Sequence, residues 1–230
     1  MNMKTPILIP GIFNHPFTYL SNKKKIKPGK YVKVPFRKQE IIGVTWIELE
    51  HTKKNINLKK IIRELKVPSI NSKMLKFIVW FSKYNMVPIG MVLKLVVSDT
   101  FIVEKKFSQE YQKFNIYTKK KIKIKLNKDQ IKSLNKLKNF GRIFNVSVLE
   151  GVTGSGKTLV YFERIREIVN KGFQALILLP EIALTNQFKS RFFDFFGSEP
   201  AIWHSKISKK NKKIIWRGVV DNKIKVVIGA

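Results

Sequence analysis

The chain has 230 residues, with 46 Lys+Arg against 15 Asp+Glu and a formal net charge of +31. Zero cysteines exclude disulfides and thiolate zinc sites, and the three histidines, His15, His51 and His204, are too scattered for a metal cluster. The charge permits a polyanionic partner, nucleic acid or an acidic membrane surface, without specifying one, because only seven of the cations are arginines and the abundance of Lys, Asn, Ile and Phe matches an A+T-rich coding sequence.

From Lys4 to Glu50 the segments are short, punctuated by Pro and Gly, and partly alternating, as in Tyr31–Val34 and Ile41–Ile47. They predict a small antiparallel sheet or barrel. After a Lys/Asn-rich loop at Lys53–Lys59, Ser72 has the character of a helix N-cap, and Leu75, Ile78, Val79 and Ser82, with Phe77 and Phe81, repeat at helical spacing. Pro88 opens a second short helix through Leu95. Glu104–Lys125 is polar, lysine-rich and weakly patterned, which predicts a linker ending near Leu126. The longest apolar stretch, Met86–Val103, carries Lys94 and Asp99, and Ile7-Leu8-Ile9 is cut short by Pro10 and Gly11. Neither reads as a membrane span or signal peptide, so the expected compartment is the cytoplasm.

From Leu126 onward, helical and apolar strand-like patterns alternate, which demands a parallel sheet with helices on its faces. The predicted strands are Val146–Glu150, Ala175–Leu179, Ala201–Trp203 and Lys225–Ile228. The predicted helices are Leu159–Asn170, Leu184–Phe196 and Ser208–Asp221. Between the first strand and the first of these helices stands Gly151-Val152-Thr153-Gly154-Ser155-Gly156-Lys157-Thr158, a complete G-x-x-x-x-G-K-[ST] phosphate loop. Glycines let successive backbone N–H groups turn toward one point, where the positive end of the following helix also favours an anion. Lys157 would reach the β and γ phosphates, and the Thr158 hydroxyl would take one position on Mg²⁺. A glycine-rich turn that binds nothing is the bland alternative, and the strand-loop-helix context weighs against it.

Several runs together carry a resemblance: Leu149–Thr158, Leu179-Pro180-Glu181-Ile182-Ala183-Leu184-Thr185-x-Gln187, His204-Ser205 and Val226–Ala230 in the second half, with Phe17-x-Tyr19, Pro28-Gly29-x-x-Val32-x-Val34-Pro35-Phe36, Gly43-Val44 and Tyr84-x-x-x-Pro88-Ile89-Gly90 in the first. The chain resembles the PriA family of bacterial primosomal helicases. The resemblance implies a 3′-end DNA-binding domain over 1–100, a linker or vestigial winged-helix region over 101–125, and the first part of a RecA-like α/β motor lobe over 126–230. It implies an ATP- and Mg²⁺-dependent superfamily 2 helicase that moves 3′ to 5′, recognises forked DNA and restarts replication alongside primosome and single-strand-binding proteins. Carried over by residue, Gln130 in Leu126-Asn127-x-Asp129-Gln130 would lie near the adenine, Thr185 would touch the DNA backbone, and Phe17, Thr18, Tyr19 and Phe36 would form the 3′-end pocket. Asn127 also suits an ordinary helix cap, the aromatics equally suit a barrel core, and a structural role suits His204 as well as a DNA contact.

Four departures qualify what is carried over. Leu159 follows the phosphate-loop Thr where the family usually has an acidic residue, Arg37 stands after Pro35-Phe36 where glycine is usual, and Thr18 replaces the Asp of some relatives. The family's acidic D-E-x-H motif, its cysteine zinc module and its second motor lobe are not among these residues, so zinc is expected only in a further C-terminal part. The strand of that acidic motif lies beside the phosphate-loop strand in the family, which leaves an open sheet edge to be expected here. Two readings follow: the N-terminal portion of a helicase, inactive as these residues alone, or a truncated module that binds DNA and nucleotide without ATPase activity.

Overall fold

The computed structural model describes residues 2–22, 26–47, 57–97, 110, 112–114, 125–138, 144–180 and 186–229. They divide into two compact units, Met1–Lys106 and Phe107–Ala230. In the first, strands β1 (Asn2–Leu8), β2 (Phe17–Asn22), β3 (Tyr31–Phe36), β4 (Gln39–Thr45) and β5 (Arg63–Glu64) precede helices α1 (Ser72–Tyr84) and α2 (Ile89–Val96). The strands pair antiparallel in the order β2-β1-β4-β3-β5. Leu20 of β2 accepts from Ile61 N–H and donates to the Lys59 carbonyl, both at 2.9 Å, so the outer edge of β2 meets the chain that leads into β5. The sheet thereby curls toward closure, as the short alternating segments predict. Its interior holds Ile7, Ile9, Tyr19, Val32 and Val34, with Phe13, Phe17 and Phe36 half-buried at the margin.

A buried hydroxyl fixes the loop that enters β3. Thr45, fully buried, donates to the Lys27 carbonyl at 2.7 Å and accepts from Lys30 N–H at 2.9 Å. Gly29 lies in that loop at φ +90°, and a Cβ there would stand 2.1 Å from the Ile70 carbonyl oxygen, so neither the backbone angle nor the space admits a side chain.

The cap of α1 is Asn71 rather than Ser72. Asn71 has extended backbone angles and accepts from Met74 N–H at 2.8 Å, which leaves Ser72 as the first helical residue. Leu75, Ile78 and Ser82 face inward on α1. Phe77 does not join them: with Trp80 and Tyr84 it forms an exposed aromatic row, Trp80 stacking on Tyr84 at 5.2 Å. α2 follows Pro88 as expected.

The second unit contains α3 (Lys128–Lys138), α4 (Lys157–Asn170), β6 (Ala175–Leu178), α5 (Asn186–Phe196), β7 (Ala201–Trp203), α6 (Lys209–Val220) and β8 (Val226–Gly229). The strands are parallel in the order β6-β8-β7, so this is the α/β lobe that the alternating pattern predicts. One core joins α4 and α5 to the sheet through Phe162, Ile165, Phe192, Phe195, Phe196, Ile177 and Ile228. Another joins Ala201, Ile214, Ile215 and Ile224, and Phe114 is buried with them. The polar segment read as a linker therefore supplies one core side chain to this unit.

Two strand expectations are corrected. Val146–Glu150 is not a strand among the described residues: it makes no ladder, and Val146 and Val148 are 77% and 85% exposed. An apolar, β-branched run becomes a strand only where a neighbour supplies hydrogen bonds, and none of the described strands lies beside it. Ala175–Leu179 is also not buried on both sides. β6 is an edge strand, with Ile177 buried but Leu176 and Leu178 64% and 73% exposed. The predicted start of the following helix at Leu184 falls outside the described residues.

Two measurements test these cores. Burial pushes the Tyr31 hydroxyl from 10.0 up to about 12. The neutral phenol is favoured in the fold, so its contribution is complete below pH 10, and is lost as pH rises from 10 toward 12 while the unfolded chain ionises first. Between about pH 9 and about pH 11.5 the wild type should lose about 2 kcal/mol more than Tyr31→Phe in urea unfolding. Phe162→Ala, which empties the centre of the α4–α5 core, should cost about 3–5 kcal/mol by the same method.

Candidate nucleotide site and nucleic-acid interface

The phosphate loop leads directly into α4, whose N-cap is Gly156 at φ +82°, and Gly154 adopts φ +83°. Both angles lie in the left-handed region that glycine enters at no steric cost. Gly156 is needed twice over, since a Cβ there would stand 2.4 Å from the Gln130 amide nitrogen. Because Gly156 has no side chain, nothing caps the helix start. Among the described residues the N–H groups of Gly154, Gly156, Lys157 and Thr158 find no acceptor, and the Thr158 hydroxyl makes no hydrogen bond. Unpaired donors at a helix N-terminus are an anion-binding arrangement. The Lys157 ammonium donates to the carbonyls of Gly151 and Val152, the latter at 3.0 Å, so the loop's cation sits over its own turn. Val152 and Thr153 are exposed at the tip, and Ser155 N–H closes the turn onto the Val152 carbonyl at 3.2 Å.

Gln130 is brought to this loop by the start of α3. Its backbone N–H donates to Asn127 Oδ1 at 2.8 Å while its Oε1 accepts from Asn127 N–H at 3.0 Å, a reciprocal cap. The remaining Nε2 donates to the Ser155 carbonyl at 2.9 Å. Cap and loop contact are thus made by one side chain: the capped helix start is realised, and the same glutamine reaches the phosphate loop.

In the first unit Phe17 and Phe36 come together, ring centres 5.3 Å apart, with Phe13 at 5.0 and 5.3 Å from them and His15 at 5.0 Å from Phe17. All three phenylalanines are half-buried, as is Thr18. Arg37 lies with its guanidinium 5.7 Å from the Phe36 ring centre and takes φ +53°, the left-handed angle that explains why glycine suits this turn. Tyr19 differs from its companions. It is 5% exposed and its hydroxyl donates to the Pro35 carbonyl at 3.1 Å, so it belongs to the barrel core rather than to a surface that stacks bases. Burial raises its pKa. Thr185 lies outside the described residues. His204 Nδ1 accepts from Lys206 N–H at 3.2 Å, a local role at the end of β7. Phe13 and Arg37 complete the aromatic cluster, and neither belongs to the motif residues expected at the pocket.

The structure is thus an antiparallel barrel with an aromatic margin, followed in sequence by a parallel α/β lobe that carries a phosphate loop. Residues 6–98 match the family described as the 3′DNA-binding domain (3'BD), and residues 123–230 match the family of the type III restriction enzyme res subunit. The chain is 38% identical over 228 residues to the replication restart protein PriA of Rickettsia conorii, covering 97% of this chain and 34% of that protein. Against the PriA of Bacillus subtilis it is 44% identical over 85 residues, 37% of this chain and 11% of the relative, and against that of Helicobacter pylori J99, 27% over 214 residues, 93% and 32%. The chain is similar to PriA proteins over nearly its whole course and spans about a third of the length of these curated relatives, their N-terminal portion. Among the described residues no helix is long and apolar enough to cross a membrane.

Gln130→Glu keeps the acceptor for Asn127 and loses the donor for Ser155, whereas Gln130→Ala loses both. Both variants should speed amide exchange at Ser155 and Leu159, whose N–H groups bond within the loop, by about fivefold, and only Gln130→Ala should also loosen the first turn of α3. Hydrogen exchange read by mass spectrometry separates the two effects.

Proposed function

We propose that this chain is the N-terminal portion of an ATP-dependent 3′ to 5′ DNA helicase of replication restart, which grips forked DNA through its barrel and nucleotide through its α/β lobe. The observation that carries the nucleotide half is the set of unpaired N–H donors at Gly154, Gly156, Lys157 and Thr158, held by two left-handed glycines. Donors so placed fit the oxygens of a phosphate chain, and the free Thr158 hydroxyl fits Mg²⁺. Lys157 would exchange its loop carbonyls for the β and γ phosphates, while Gln130, already fixed to Ser155, would position the loop toward the base. ATP bound there would supply the phosphoryl group whose transfer drives strand separation. The acidic motif implied by the resemblance lies outside these residues, so phosphate release by this chain alone should stay at background.

For the DNA half, the aromatic margin is the supporting observation. A terminal base stacking on Phe17 or Phe36 can report whether a strand ends there, which lysine–phosphate contacts cannot do. Thr18 and Thr185 would add polar contacts, the latter to the strand backbone. Primosome and single-strand-binding proteins are the partners and the cytoplasm the compartment this reading carries with it. Similarity across both units favours the helicase portion over a reduced binding module.

In calorimetric titration Lys157→Ala should weaken ATP binding by one to two orders of magnitude, from loss of about 1.5–3 kcal/mol, and an unchanged affinity would reject the nucleotide assignment. Matched oligonucleotides ending in a 3′ hydroxyl or a 3′ phosphate should compete unequally, the hydroxyl binding better, and Phe17→Ala should remove about 1–3 kcal/mol of that preference. Equal binding that weakens in parallel as salt rises would reduce the DNA affinity to counterion release.

A further inference from the structure

The phosphate loop shares its cavity with a helix that the sequence motifs leave out. A cavity of about 680 Å³ is lined by Gly154, Lys157 and Thr158 from the loop and by Arg191, Asp194 and Phe195 from α5. The three α5 residues stand at i, i+3 and i+4, hence on one face of the helix. The helix itself is held against α4 through Phe162, whose ring centre lies 5.8 Å from Phe192 and 5.2 Å from both Phe195 and Phe196. Arg191 is therefore carried by a packed helix and not by a loop.

Its partners set it apart from the other described arginines of this unit. Arg164 pairs with Glu167 at 3.3 Å, Arg166 with Glu163 at 2.6 Å and Arg217 with Asp221 at 2.8 Å. Arg191 makes no hydrogen bond or ion pair among the described residues, although Asp194 stands at a spacing where helix pairs form. Asp194 accepts from Ser190 Oγ instead, at 3.5 Å. An uncommitted guanidinium on one wall of a cavity, with unpaired backbone donors on the other, suits one chemical class: an extended chain of phosphate oxyanions.

We propose that Arg191 is a nucleotide-binding residue, supplying a second cation to the outer phosphates of a nucleoside triphosphate seated in the loop. The proposal rests on the nucleotide reading above. The loop amides take the inner phosphates, and the α5 wall is left for the outermost. Arg191 thus makes the site count phosphates, favouring the triphosphate over shorter nucleotides.

The test is calorimetric titration of the whole chain with ATP, ADP and AMP in Mg²⁺, using wild type, Lys157→Ala, Arg191→Gln and Arg191→Lys, with melting temperatures as a check on folding. Arg191→Gln should weaken ATP by about tenfold and AMP by less than about twofold, and Arg191→Lys should recover part of the ATP affinity. ATP binding by Arg191→Gln within about twofold of wild type, or an equal loss for ATP and AMP, overturns the role of Arg191. If Lys157→Ala alone loses ATP, the nucleotide reading survives without Arg191; if the wild type binds no ATP, both fall. Should Arg191→Gln fail to fold, Arg191→Ala decides: a loss of about tenfold for ATP with less than about twofold for AMP supports the role, and ATP binding within about twofold of wild type overturns it.

Discussion

Phe162 is the side chain on which the second unit depends. It projects from the helix that the phosphate loop opens, and four phenylalanine rings of α5, at 188, 192, 195 and 196, meet it at 5.2 to 5.8 Å. Edge and tilted ring contacts of this kind add directional preference to area burial, so they fix the rotation of one helix against the other as well as their distance. The loop's glycines choose the local backbone, but where its donors point relative to α5 is decided by this aromatic core. The loop at Gly154–Thr158 and the helix that carries Arg191 are held together by this packing.

In the first unit a polar constraint has the corresponding role. Thr45 is fully buried, yet its hydroxyl is satisfied by Lys27 and Lys30, so the loop entering β3 is tied to the end of β4 without a desolvation penalty left outstanding. The barrel's interior is filled by Ile7, Ile9, Tyr19, Val32 and Val34, and Phe13, Phe17 and Phe36 stand at its rim. Rigid aromatics half-exposed beside a firm sheet lose little rotamer freedom on contact with a base, which is why such margins make efficient stacking platforms. Tyr19, two residues from Phe17 on the same strand face, is sealed in by its bond to Pro35 and marks where the rim gives way to the core.

Much of this was legible because local chemistry set it. The phosphate loop, the helix after it and strand Ala201–Trp203 follow from contiguous residues, and the apolar periodicity of α1 separated Leu75, Ile78 and Ser82 from solvent. What was not legible depends on partners distant in sequence. Val146–Glu150 has every local property of a strand and lacks only a ladder, a property of its neighbours. Between Asn71 and Ser72, both good caps, backbone angles decided, and these are not encoded by residue type alone. The Gln130–Ser155 bond spans 25 positions, and Arg191 reaches the loop's cavity from a helix whose own pattern reads simply as amphipathic. Phe114 looked like part of a lysine-rich linker because a single buried ring leaves no periodicity.

The turn between β3 and β4 has an evolutionary consequence. At φ +53° Arg37 occupies backbone space that costs a non-glycine residue about 1–2 kcal/mol. Glycine at that point would recover the energy and give up the guanidinium beside Phe36. Drift at position 37 is therefore asymmetric: glycine and asparagine are open to it, β-branched side chains are closed, and a long cation persists only while its contact at the aromatic rim repays the strain. Position 37 thus sets backbone ease against surface chemistry, glycine serving the first and arginine the second.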